Sequence, residues 1–232
     1  MKTIGIIGGI APASTAEYYR LIIASYREQK RDGSYPSIII NSINMTKMLD
    51  LIGAQKLAEV TDYLLGEIIN LAKAGADFGI FASNTPHLVF DDIQSQSPIP
   101  LLSLVEATCQ ATQKLGLKKV GLFGTRFTMQ AQFFPEVFSR QGIDIVAPDP
   151  VDQNYIHGIY MNELINGIYR VETQEELLAI IDRMKEKHEI QGLILGGTEL
   201  PFILRESRDN NFQFLDTTKI HVEKVVTEIL SD

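Results

Sequence analysis

Gly79-Ile80-Phe81-Ala82-Ser83-Asn84-Thr85-Pro86-His87 and Gly192-Leu193-Ile194-Leu195-Gly196-Gly197-Thr198-Glu199-Leu200 follow one plan. In each, a short apolar run enters a small polar loop and leaves it as a helix. An apolar run of this length reads as a strand covered on both faces. A second pair repeats the pattern. Gly5-Ile6-Ile7-Gly8-Gly9 is echoed 116 residues later (121 − 5) by Gly121-Leu122-Phe123-Gly124-Thr125, and Gly79 is echoed by Gly192 after 113 residues (192 − 79). Two near-equal shifts predict two similar lobes, since solenoid repeats have shorter periods.

The rest of the chain supports this division. Candidate strands fall at 3–7, 37–41, 78–82, 119–123, 144–146, 192–195 and 212–215. Amphipathic helical patterns lie between them at 14–29, 55–74, 103–115, 128–141, 152–169, 173–187 and 217–230. Such alternation predicts an α/β protein of mainly parallel sheets flanked by helices. Pro98-Ile99-Pro100 reads as the linker, because a proline pair stiffens a connection and ends regular structure. The expected lobes are therefore 1–98 with 216–232, the last helix crossing back, and 99–215. In open α/β sheets ligands bind beyond the carboxyl ends of strands, where all four loops lie, so a cleft between facing lobes is the expected site.

Composition narrows the function. The 232 residues carry a net charge of −8 with no long basic cluster, which argues against nucleic-acid partners. No apolar run approaches the ~18 residues of a membrane span. Met1 to Gly9 reads as a buried strand rather than a leader. The single cysteine, Cys109, permits no internal disulfide and fits a cytoplasmic protein. It lies inside a helical pattern and reads as a buried structural thiol. The four histidines, His87, His157, His188 and His221, have no metal-pair spacing, so no metal is expected. His188 reads as a helix-end residue and His157 as part of a helix face.

The polar loops admit plain and functional readings. Gly8-Gly9-Ile10-Ala11-Pro12-Ala13-Ser14-Thr15 is neither a Walker loop nor a dinucleotide fingerprint. It is a tight turn with Ser14 or Thr15 as helix cap, or a set of backbone N–H groups offered to a carboxylate. Ser83-Asn84-Thr85-Pro86-His87 is a polar turn with proline opening a helix, or an anion site built on Asn84 and Thr85. Thr198-Glu199 is a helix start with an acid in its first turn, or the matching half of that site. Their coincidence at matched positions of two lobes favours function.

Taken together, these motifs resemble the aspartate/glutamate racemase family. The resemblance rests on Gly8-Gly9-x-x-Pro12-x-Ser14-Thr15 followed by Tyr18-Tyr19, on Asn84-Thr85-Pro86-His87, on Gly124-Thr125-Arg126-Phe127-Thr128, and on Gly196-x-Thr198-Glu199-Leu200. Gly158-Ile159-Tyr160 with Glu163-Leu164 adds to it. The resemblance implies two pseudo-symmetric α/β lobes with the active site between them. It also implies no pyridoxal phosphate and no other cofactor. The family's two cysteines work on opposite sides of the substrate α-carbon, one removing the proton and the other returning one.

Here the chain departs from the family. The first cysteine position, directly before Asn-Thr, is Ser83; the second, directly before Thr-Glu, is Gly197. A serine hydroxyl needs a neighbouring base, and glycine offers no side chain. The binding positions match better: Asn84, Thr85, Thr125 and Thr198, with the Gly9–Ile10 turn beside the first catalytic position. Lys47 either faces a substrate side-chain carboxylate or is an exposed lysine on a loop. The expected function is racemase-like action on a small acidic amino acid by α-proton abstraction and return, with Ser83, His87 or Glu199 as replacement groups. The alternatives are a non-catalytic amino-acid or dicarboxylate binder and a related decarboxylase or isomerase. Cysteines at Ser83 and Gly197 should restore exchange if the cleft is otherwise intact. A homodimer is expected.

Overall fold

The computed structural model describes residues 1–204 and 212–231. It divides into two units, Met1–Leu104 with the last helix from His221 onward, and Val105–Ile220. The first runs β1 (Ile4–Gly8), α1 (Pro12–Lys30), β2 (Ile38–Ser42), α2 (Met45–Gly53), α3 (Leu57–Lys73), β3 (Phe78–Phe81), a 3₁₀ turn (Thr85–Val89) and α4 (Phe90–Gln94). The second holds α5 (Leu104–Lys114), β4 (Lys119–Gly124), α6 (Arg126–Gln130), α7 (Phe133–Ser139), β5 (Asp144–Val146), α8 (Pro150–Asn162), a 3₁₀ turn (Leu164–Asn166), α9 (Val171–His188), β6 (Gly192–Gly196), α10 (Leu200–Ile203) and β7 (Gln213–Asp216). The final helix, α11 (Thr217–Leu230), begins in the second unit and ends in the first.

Both sheets are wholly parallel, in the orders β2-β1-β3 and β5-β4-β6-β7. The earliest strand of each unit is central, with its successors added on either side, as the repeat predicts. β1, β3 and β6 are buried along their whole length, which is why they read as unbroken apolar runs. Helices cover the sheet faces with side chains at helical spacing. α1 buries Tyr18, Ile22 and Tyr26, and α11 buries Val222, Val225, Val226 and Ile229 against Ile4, Ile6, Phe78 and Ile80.

Several expectations need correction. The helix expected over 128–141 is two helices, parted at Ala131, whose backbone is extended. Pro135 explains the break, because a proline ring clashes with the carbonyl four residues earlier. The pattern over 152–169 ends at Asn162 and continues as a 3₁₀ turn closed by Gly167 in the left-handed region. Lys47 is not on a loop: α2 carries it, capped by the Asn44 side chain accepting from Lys47 N–H at 3.3 Å. Neither Ser14 nor Thr15 caps α1, whose first residue is Pro12 after an extended Ala11. The stretch expected as a linker also pairs with the sheet. Gly79 N–H donates to Pro100 O at 2.9 Å and Leu102 N–H to Gly79 O at 3.0 Å, so Leu101 bridges beside β3 as β7 lies beside β6.

Two buried histidines tie the first unit together. His221 is fully buried; Tyr18 Oη lies 2.9 Å from its Nδ1, and its Nε2 lies 3.0 Å from Leu102 O. The carbonyl fixes the proton on Nε2, so Nδ1 accepts from the phenol. Burial, with smaller help from neighbouring His87, lowers the His221 pKa to about 3, and burial lowers that of His87 to about 4.

Two measurements test this packing. Both histidines titrate near 6.5 when unfolded, so below that pH the unfolded chain binds more protons. Stability should be complete above pH 6.5 and fall by several kcal/mol as pH drops toward 4, read from urea midpoints across that window. Tyr18→Phe strands the His221 acceptor and should cost about 1–3 kcal/mol at pH 7.5 in the same assay.

Candidate active site: two matched strand-end loops

In the first unit, β1 and β3 end side by side, with Ile7 paired to Phe81. Gly8 and Gly9 follow β1. Gly9 has φ +83°, a conformation that favours glycine, and a β-carbon there would approach Ile43 N to 2.9 Å. Its N–H donates to Thr15 Oγ1 at 2.8 Å, and that hydroxyl donates to Ala11 O at 3.2 Å. Gly9 N–H therefore serves the turn, and Ile10 is packed in the core beside Ile7 and Ile43.

The loop after β3 carries Ser83, Asn84 and Thr85. The half-buried Ser83 accepts Thr85 N–H at 3.4 Å. His87 stands under this loop rather than in it. It is buried and stacked on Phe90 with ring centroids 5.0 Å apart. Its Nε2 accepts Leu104 N–H at 3.2 Å, which leaves the proton on Nδ1, 3.2 Å from Asn84 O. With both nitrogens engaged and its pKa at about 4, His87 holds the loop in shape; as the tuned proton carrier expected from sequence it is badly placed.

Asn84 is the informative residue here. It is 9% exposed, and its side-chain Oδ1 is buried with no hydrogen-bond partner. Buried polar atoms are nearly always paired, so an orphan at a strand-end loop marks a place for a donor. The amide can equally present its NH₂ there to an acceptor, because its two ends are nearly interchangeable. Lys47 points elsewhere: it is exposed, with Nζ 4.0 Å from the centre of the Tyr63 ring.

In the second unit, β4 and β6 end together, with Gly124 paired to Gly196. Thr125 caps α6, its Oγ1 accepting Thr128 N–H at 3.4 Å. Beyond β6 come Gly197, Thr198 and Glu199. Glu199 is buried; Thr198 Oγ1 donates to its Oε2 at 2.9 Å, and Tyr160 Oη donates to the same oxygen through a short hydrogen bond. Burial first, then the adjoining Glu199 charge, pushes the Tyr160 phenol well above its usual pKa. His157, one turn earlier on α8, accepts Arg126 N–H at 3.3 Å, and burial followed by Arg126 lowers its pKa. Sequence reasoning missed Tyr160 as a site residue. Its three-residue spacing from His157, which puts both on one face of α8, was the available signal.

Two other features lie apart. Cys109 is buried in α5, where burial and then Glu106 raise its pKa. A cavity of about 400 Å³ lined by Lys119, Asp144 and His188 lies at the amino ends of β4 and β5, opposite the polar loops. Among the described residues, no cluster of three or more His, Cys, Asp or Glu is arranged to hold a metal, and no helix is long and apolar enough to cross a membrane.

Known proteins share this fold. The structure is similar to that of an aspartate racemase homologue from Pyrococcus horikoshii OT3, with TM-score 0.88 and 34% identity over 100% of both chains. It shares its fold with the Picrophilus torridus aspartate racemase, with TM-score 0.79 and 20% identity over 99% of this chain and 94% of that one. In sequence it is 25% identical over 187 residues to the broad specificity amino-acid racemase RacX of Bacillus subtilis (strain 168), covering 79% of this chain and 78% of that protein. The Asp/Glu/hydantoin racemase family profile matches residues 7–225, through both pairs of strand-end loops, and the chain belongs to that family.

Proposed function

We propose that this chain binds a small acidic amino acid or dicarboxylate and acts on its α-proton, as a racemase-like protein without pyridoxal phosphate, metal or catalytic thiols. The observation that carries the reading is the buried, unpartnered amide oxygen of Asn84. A ligand ammonium would satisfy it, and the turned amide would serve a carboxylate equally well. Thr85 in the first unit, and Thr125 and Thr198 in the second, supply hydroxyls at the strand ends of their own units. The likeness in sequence to a broad specificity amino-acid racemase supports the same ligand class. Lys47 and the Gly9–Ile10 turn are weaker members of this site, given the Tyr63 and Thr15 contacts that already occupy them. The reading includes a cytoplasmic homodimer, supported by the lone cysteine and by the preference of oligomers for two-fold symmetry.

A second reading, binding without turnover, is favoured by one feature of the first unit. The Ser83 hydroxyl has Thr85 N–H as its hydrogen-bond partner among the described residues, so no neighbouring base activates it there.

Calorimetric titration with L- and D-aspartate and L- and D-glutamate tests the binding. Saturable binding is expected for at least one. Asn84→Ala should weaken it about 10- to 100-fold, the worth of a hydrogen bond to a charged group. Ligand heats absent at millimolar concentration for all four compounds would sink the proposal. Ser83→Ala should leave the affinity within about threefold, as expected for a side chain whose hydroxyl makes one long hydrogen bond.

A further inference from the structure

Gly197 and Tyr160 are fitted to each other. A β-carbon at position 197 would overlap the Tyr160 hydroxyl, and would lie 2.7 Å from Cε2 and 2.8 Å from Cζ of the same ring. The ring cannot easily yield, because it is packed in the second unit's core and its hydroxyl is tied to Glu199. A cysteine at 197 therefore requires Tyr160 to shift, so restored cysteines could revive thiol chemistry only once this contact has given way. The space where the family resemblance puts a thiol side chain already holds a phenol.

That phenol is equipped to move a proton. It is 6% exposed, and its partner Glu199 is 7% exposed, with Thr198 Oγ1 fixing the shared carboxylate oxygen at 2.9 Å. The phenol proton points at Glu199 Oε2, which leaves the oxygen lone pairs turned away from the carboxylate. Lobe one has no counterpart among the described residues: Ser83 lacks a base, and His87 has both nitrogens engaged.

We infer that Tyr160 replaces the second thiol and relays a proton between the substrate α-carbon and Glu199, giving α-proton exchange on one face with retention of configuration. The inference rests on the acidic-amino-acid reading above. In the forward step the Cα–H bond breaks and its electron pair stays on the substrate. The Tyr160 oxygen takes that proton while its own proton passes to Glu199 Oε2. The phenol is neutral before and after; the carboxylate becomes a carboxylic acid. Reversal returns a proton to the same face, so solvent hydrogen enters through Glu199 without inversion. Without an opposing donor, exchange runs ahead of racemisation.

The test follows α-deuterium incorporation by NMR in D₂O for the two enantiomers of aspartate and of glutamate, alongside binding and thermal melts. The full-length wild type should incorporate deuterium into a bound enantiomer without forming its mirror image. Tyr160→Phe keeps the ring and should slow incorporation about 100-fold or more, with Kd within about threefold and a melt that is lowered by the lost hydrogen bond to Glu199 but still cooperative. Glu199→Gln keeps a hydrogen-bond acceptor but cannot take the proton, and should do the same. Exchange undiminished in both variants would overturn the relay and leave the binding reading standing. Inversion as fast as exchange would overturn its one-sidedness. Tight binding with no exchange in wild type overturns the relay alone, whereas neither binding nor exchange overturns both proposals.

Discussion

The fold hangs on two strands, β1 and β4, each paired in parallel on both edges. A parallel strand in that position can satisfy its backbone only through its neighbours, and helices on both faces exclude water from its side chains. Ile4, Ile6 and Ile7 are accordingly fully buried, as are Val120 and Phe123. Burying a strand so completely fixes where it ends. Gly8 and Gly124 leave the sheet at the same edge as Phe81 and Gly196, and the polar loops are delivered together at each unit's carboxyl edge. The chemistry of this chain is thus positioned by its most apolar residues.

Within each unit the loops divide their labour differently. After β3, a buried neutral histidine and a backbone N–H hold the loop, leaving the Asn84 amide oxygen buried without a partner. After β6, the loop holds a buried carboxylate gripped by two hydroxyls, from Thr198 and Tyr160. On the readings proposed above, the first serves recognition and the second stores a proton. Duplicated architecture has therefore carried unequal chemistry. The asymmetry comes from side chains that reach in from other elements, His87 from below its own loop and Tyr160 from α8.

The place of several proposed site residues in the fold was legible in the sequence. Asn84, Thr125, Thr198 and Glu199 each sit beside a strand end that the apolar runs had already placed, so local pattern and location agreed. Where reading failed, the cause was tertiary. His87 is one turn from Asn84 and looked like a site residue, yet Leu104 N–H and the Phe90 ring claim it. Lys47 looked like a loop cation, although Met45, Met48, Leu49 and Ile52 carry a helical period that a cap at Asn44 could have announced. Tyr160 entered the reading only within the Gly158-Ile159-Tyr160 motif; it packs in the second unit's core, with its hydroxyl against Gly197 and bonded to Glu199.

The sequence by itself determined the strand count, the parallel class, the internal duplication and the family, because these depend on short-range periodicity and on motif order along the chain. It also puts Ser83 and Gly197 where the family resemblance sets the two thiols. The tertiary structure alone decided what stands in their place. A side chain 37 residues away (197 − 160) fills the space at Gly197, and no local pattern encodes that contact. Packing brings the phenol, the glycine and the carboxylate together, and burial holds the phenol well above its usual pKa.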